Sequence, residues 1–258
     1  MARALQVVQQ QPPPYNELMT ASSLSSDASS GLSAISNPVA IRCKGILFDM
    51  DGILISSLGS VERSWHTWAV SRGIDPVLAI HTAHGCRAIE TIRKLSPDLD
   101  DEAELRYIED LEVADNEGLA VLPGVPELLA ALPARRWTVV TSATERLARL
   151  RLAAAGIAVP DRIITADHVT SGKPHPEPYL KGAEILGLSA ADCVVFEDSG
   201  SGTKAGRAAG CTVVGTTFSH PIEELSAAHY LLTDLTGIEV EILPGDQGLA
   251  LHFTPLAV

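Results

Sequence analysis

From about residue 123 onward, short runs rich in valine and isoleucine alternate with segments of helical spacing. PGVPELLAAL has helical spacing and WTVVTS reads as a strand. ERLARLRLAAAGI is a helix closed by Gly156, and RIITAD is a strand. PEPYLKGAEILGL is a helix, CVVFED a strand and GTKAGRAAG a helix, with TVVGTT and YLLTD completing the strands. Few folds accept that order. Strands alternating with helices form βαβ units, so the expected fold class is α/β, a Rossmann-like parallel sheet with helices on both faces.

One further strand, at about 45–49, precedes this region and is separated from it by a charged helical block. Val61, Trp65 and Trp68 recur there at helical spacing, as do Ile89, Ile92 and Leu95, and then Leu105, Ile108 and Leu111. The block reads as a four-helix cap inserted after the first strand, with Trp65 and Trp68 in its core. The expected organisation is a core domain over 41–57 and 122–258 and a helical cap over 58–121. Residues 1–40 contain QQQPPP and ASSLSSDASSGLSAISNP. Such a segment buries too little apolar surface to offset its ordering entropy, so it is expected to be a disordered extension. The last segment, EVEILPGDQGLALHF, alternates around a PGDQG turn and suggests a hairpin.

Composition excludes some classes. The chain has 258 residues, 46% hydrophobic, and a formal net charge of −13. A nucleic-acid surface needs a basic footprint, so none is expected. No apolar run reaches the length of a membrane span, and the first residues lack the apolar stretch of a signal peptide. Cys43, Cys86, Cys193 and Cys211 show no CxxC or metal-finger spacing. They read as free thiols in a reducing compartment, which makes a cytoplasmic protein the expectation.

In open parallel sheets, ligands bind beyond the carboxyl ends of the strands. In GILFDMDGILIS the first strand carries Asp49 and Asp51 at that end. WTVVTS carries Thr141 and Ser142, the loop after RIITAD carries Lys173, and CVVFED ends in Glu197 and Asp198. Each motif alone has an ordinary reading: a DG turn, a solvated loop lysine, a helix cap. Four strand ends converging on one rim carry more weight. Gathered carboxylates repel one another unless a cation sits among them. Oxygen ligands without His or Cys favour Mg²⁺, and a lysine and a hydroxyl opposite it suit a phosphate dianion. One aspartate then attacks phosphorus, and the other moves the proton of the leaving oxygen.

DMDGILIS, VVTSAT, SGKPHPEP and VVFEDSGSG resemble the four motifs of the haloacid dehalogenase superfamily, in order, over about residues 43–235. A cap between the first and second motifs is similar to the subgroup that holds β-phosphoglucomutase and many sugar phosphatases. HGCRAIETI, the run SGKPHPEPYLKGAEILGL and VVFEDSGSGTKAGRAAGC resemble the glycerol-1-phosphatase and 2-deoxyglucose-6-phosphatase family. The resemblance implies Asp49 as nucleophile and metal ligand. It implies Asp51 as acid/base, ligating the metal through its backbone carbonyl. Ser142 would hold a phosphate oxygen with Thr141 beside it, and Lys173 would bridge nucleophile and phosphate. Asp198 would be a further ligand, with Glu197 supporting the metal shell. Val61 stands where the mutase carries a histidine in its first cap helix, which weighs against a mutase.

His84, Gly85 and Arg87 fall where the cap should face the site, and Arg87 is the candidate for the substrate's distal part or for cap closure. GSGTKA, residues 200–205, fits a dinucleotide fingerprint, but Glu197 and Asp198 immediately before it would repel a pyrophosphate. The expectation is a Mg²⁺-dependent phosphatase of small sugar or polyol phosphates, working as a monomer through an aspartyl phosphate. The alternatives are a phosphosugar mutase and a non-catalytic phosphosugar-binding regulator.

Overall fold

The computed structural model describes residues 37–257. The segment 1–36 of the expected extension lies outside the described residues. Val39 and Ala40, placed at the end of that extension, instead begin a strand, β1 (Val39–Cys43). Isolated from its partner the segment has little to mark it. It is a strand because it pairs antiparallel, Val39 with Phe253 through Cys43 with Leu249, with the last strand, β10 (Leu249–Phe253). The expected hairpin is present: β10 also pairs antiparallel with β9 (Glu239–Ile242).

The main sheet is parallel. It contains β2 (Gly45–Phe48), β5 (Trp137–Val139), β6 (Cys193–Glu197), β7 (Thr212–Thr216) and β8 (Tyr230–Leu232), in the order β5-β2-β6-β7-β8. Every residue of β2 and β6 is buried, as strands covered on both faces must be. Alternation sorts their side chains into two layers. Ile46, Phe48, Val194 and Phe196 join one core, while Leu47 and Val195 join the other. Four helices cover the sheet: α5 (Val125–Ala131), α6 (Glu145–Ala154), α7 (Glu177–Ile185) and α8 (Gly200–Ala208). RIITAD, expected as a sheet strand, makes only a single bridge, Ile164 with Val140. Its polar end turns away at once into a short 3₁₀ turn over Ala166–His168, where Thr165 and His168 bond each other.

Two short strands, β3 (Ile55–Ser56) and β4 (Ala120–Val121), pair antiparallel and frame the inserted helices. These are α1 (Leu58–Arg72), α2 (Pro76–Ala83), α3 (Ala88–Leu95) and α4 (Asp101–Ala114). They have their own core of Trp65, Trp68, Ala79, Ile92 and Ile108. Trp68 is fully buried, and its indole donates to Glu104 at 2.7 Å, a carboxylate that Arg72 also grips at 2.9 and 3.0 Å. Asp100 starts α4 by accepting the Ala103 amide. No helix among the described residues is long and apolar enough to cross a membrane.

Candidate active site

Strand β2 lies between β5 and β6: the chain runs from it to β5 on one side and then crosses back to β6 on the other. That is where α/β folds open a crevice at the strands' carboxyl ends. A cavity of about 150 Å³ opens there, between the sheet and the inserted helices. Of the residues expected to act, Asp49, Asp51, Thr141, Ser142, Lys173, Asp198, His84 and Gly85 line it. Glu197 and Arg87 do not.

Asp49 follows β2 directly, its amide donating to the Phe196 carbonyl at 3.0 Å. Its Oδ1 accepts from the Lys173 ammonium at 2.7 Å, and the same ammonium donates to Glu197 Oε1 at 2.6 Å. All three groups are buried. Burial pushes the Asp49 carboxyl up to about 7, against the pull of Lys173 and with the help of Glu197. Burial alone would depress Lys173, but the charges of Asp49 and Glu197 outweigh it and hold the ammonium above the ordinary lysine range. Burial would likewise raise Glu197, yet the charge and hydrogen bonds of its partners, Lys173 first, keep it below the usual value.

Glu197 is fully engaged. Oε1 accepts from Lys173 and from Tyr179 Oη at 2.7 Å, while Oε2 accepts from the Asp198 and Ser199 amides and from Ser199 Oγ, each at 3.0 Å. Its carboxylate therefore holds Lys173 in place and tethers the loop that presents Asp198. Asp198 accepts from the Ser219 hydroxyl. Burial, with Glu197 and Asp49 nearby, raises its carboxyl well above the usual range. Gly52 is required by this packing. It has φ +82°, and a Cβ there would stand 1.7 Å from Asp198 Oδ2.

Asp51 reaches the same cavity from the turn after Asp49. Its Oδ1 accepts from the Ser57 hydroxyl and from Arg151 Nη1 at 3.0 Å. Arg151 is buried on α6 and also stands 3.8 Å from Glu112 on α4. Burial lifts the Glu112 carboxyl to about 7, against the opposing pull of Arg151.

The expected cap residues also engage the core and one another. Ser142 and Ser201 both donate to the Gly85 carbonyl, at 3.3 and 2.9 Å. Arg87 is held away from the cavity because its guanidinium donates to the Val169 and Thr170 carbonyls at 2.8 and 2.7 Å and to Glu90 at 2.6 Å. Glu90 in turn accepts from the Gly172 amide. Arg87 thus clasps α3 to the loop that carries Lys173. His84 faces the ring of His220 at 5.7 Å, and burial, then His220, drops its imidazole to about 4.

Tyr179, Ser219, Arg151 and Glu112 are absent from the sequence expectation. Only Arg151 left a trace. It falls on the face of α6 that carries Leu147, Ala148 and Leu152, where an exposed arginine has no place.

Among the described residues, Asp49, Glu197 and Asp198 each offer a carboxylate oxygen within 4.8 Å of the others. Three carboxylates facing one lysine leave excess negative charge, and an all-oxygen donor set suits a hard divalent cation. The residues present therefore fit Mg²⁺.

A parallel sheet with this rim of acids, lysine and hydroxyls, covered by an inserted helical unit, defines a hydrolase class. The chain belongs to the haloacid dehalogenase-like hydrolases, whose family model matches residues 43–210. It is 38% identical over 212 residues to hexitol phosphatase A of Escherichia coli (strain K12), covering 79% of this chain and 97% of that protein. It is 37% identical to glycerol-1-phosphate phosphohydrolase 1 of Saccharomyces cerevisiae, over 70% of this chain and 78% of that one. The fold is also that of β-phosphoglucomutase from Clostridium difficile, at 20% identity, with a TM-score of 0.66 and coverage of 77% of this chain and 94% of the other.

Proposed function

We propose that this hydrolase is a Mg²⁺-dependent phosphatase of small sugar or polyol phosphates, with Asp49 as its nucleophile. The observation that carries the reading is the Asp49–Lys173–Glu197 arrangement on the cavity floor, with Asp198 and Asp51 around it. The hexitol and glycerol phosphatase relatives support the substrate class.

Asp49, Asp198 and the backbone carbonyl of Asp51 would hold Mg²⁺, which when bound neutralises charge on the phosphoryl group. In the first step an Asp49 carboxylate oxygen bonds to phosphorus, the ester P–O bond breaks, and Asp51 gives its proton to the departing alcohol. In the second, water attacks phosphorus, Asp51 takes its proton, and phosphate leaves as the Asp49 carboxylate re-forms. Lys173 bears on the nucleophile and the phosphoryl oxygens, and Glu197 with Tyr179 fixes where its ammonium sits. Ser57 and Arg151 fix Asp51. Ser142 and Thr141 stand on the rim to take phosphoryl oxygens.

The helices α1–α4 act as a cap domain, 58–121, over a core of 41–57 and 122–258, with the β3–β4 pair as the joint. The four cysteines are free thiols, which supports a cytoplasmic setting.

The test is phosphate release with and without Mg²⁺ from glycerol 1-phosphate, 2-deoxyglucose 6-phosphate, mannitol 1-phosphate, glucose 6-phosphate and β-glucose 1-phosphate, with Asp49→Asn as the blank. Mg²⁺-dependent release that the blank abolishes is the expected result. Retained turnover in Asp49→Asn would remove the nucleophile assignment. Silence on all five, with isomerisation of β-glucose 1-phosphate in the presence of a bisphosphate, would replace the phosphatase by a mutase.

A further inference from the structure

Beyond the phosphate end, the cavity runs between α1 and α4 on one side and the first turns of α6 on the other. Its walls there are apolar: Trp65, Leu105, Ile108 and Leu147. Two carboxylates interrupt them on successive turns of α4, and they differ. Glu109 is spent, accepting from the Thr144 hydroxyl and from Arg146 Nη1 at 2.6 Å. Glu112 is 7% exposed and lines the cavity, and its cationic neighbour is only within reach of charge, not of a hydrogen bond. That neighbour, Arg151 Nη2, stands 3.8 Å from Glu112 Oε2. Arg151 is 3% exposed, and Nη2 is a buried donor with no hydrogen-bond partner among the described residues.

A buried acceptor and a buried unpaired donor separated by 3.8 Å are matched by one chemical group. A hydroxyl oxygen about 2.8 Å from each donates its O–H to the carboxylate and accepts from the guanidinium. We propose that Glu112 and Arg151 are the receptor for a hydroxyl on the carbon chain of the substrate, and that they set this enzyme's preference for polyol esters. The proposal rests on the phosphatase reading and deepens it. Two consequences follow from the same groups. An ester lacking that hydroxyl leaves the buried Arg151 Nη2 donor unpaired, which costs it more than the lost contact alone. A substrate with a second phosphate at that end meets the Glu112 charge, while the guanidinium is already paired with Asp51. The substrate is therefore neutral and hydroxylated away from its single phosphate.

The experiment compares each polyol phosphate with the alkyl phosphate of equal carbon count: glycerol 1-phosphate with propyl phosphate, and mannitol 1-phosphate with hexyl phosphate. kcat/KM is measured for the parent chain, Glu112→Gln and Glu112→Leu. The parent should favour at least one polyol ester over its alkyl partner by about tenfold or more. That ratio should fall several-fold in Glu112→Gln, which keeps the volume and an acceptor, and approach one in Glu112→Leu. Should the leucine variant fail to fold, the glutamine variant still decides. An unchanged ratio in Glu112→Gln, or an equal loss on both members of a pair, overturns the receptor and leaves the phosphatase standing. Absence of phosphate release from every ester by the parent chain overturns the phosphatase reading and the receptor with it.

Discussion

Lys173 sits between two carboxylates, 2.7 Å from Asp49 Oδ1 and 2.6 Å from Glu197 Oε1, with the Tyr179 ring centroid 5.1 Å away. The position of one ammonium thus depends on a tyrosine hydroxyl that never touches it. Tyr179→Phe keeps the ring but removes a donor to a buried charge, so urea unfolding should show a loss of about 1.5–3 kcal/mol. A fall in kcat should accompany it as Lys173 loses its fixed partner. Glu112 gives a second prediction at this scale. Its carboxyl protonates at about 7 in the folded chain, above the ordinary value of 4.5, mainly through burial. Between those values the folded chain holds a proton that the unfolded chain has released, so stability falls as pH rises through that window. Above it the cost is at most about 3 kcal/mol. Glu112→Gln should therefore unfold at higher urea than the parent at pH 8, with the advantage gone near pH 4. Asp49, Asp51, Lys173 and Asp198 were legible because each directly follows a strand or sits in a motif loop. Tyr179, Ser219 and Glu112 were not, because only the folded packing of distant segments turns an ordinary tyrosine, serine or glutamate toward the site.

At the level of elements, the helical insert is held to the core by side chains more than by backbone. Arg87 on the N-terminal edge of α3 grips the Val169 and Thr170 carbonyls, and Glu90 accepts the Gly172 amide. On α4, Glu109 and Asp110 pair with Arg146 of α6. Arg87→Ala removes the clasp nearest Lys173. Limited proteolysis at the segments flanking the insert should quicken, and kcat/KM should drop about tenfold, equivalent to about 1.4 kcal/mol. A variant as protease-resistant and active as the parent would show that the clasp is incidental. Sequence spacing located the helices other than α2 (Pro76–Ala83), because their apolar stripes and caps are local signals; α2 was covered only by the expectation of a four-helix cap. It overstated RIITAD, whose β-branched residues are real but whose neighbours leave room for one bridge only. It also missed β1, whose strand character depends on a partner at the other end of the described chain.

For the molecule as a whole, charge organises the interior. The buried acids facing Lys173 make the folded state a better cation host than the unfolded chain, in which they are dispersed. Mg²⁺ at 100 times its dissociation constant should add about 2.7 kcal/mol, a rise in Tm of roughly 5–10 °C. Asp198→Asn should lose most of that rise, and a full rise in the variant would place the cation elsewhere. The architecture has one more consequence, for how the protein is made. β1 is made well before its partner β10, the last strand among the described residues. Throughout most of translation, Ile41 and Cys43, buried in the finished fold, travel on a strand with an open edge. The three-stranded sheet therefore closes only once β10 has been made, and nascent chains stalled before Leu249 are the ones a cell must shield from aggregation.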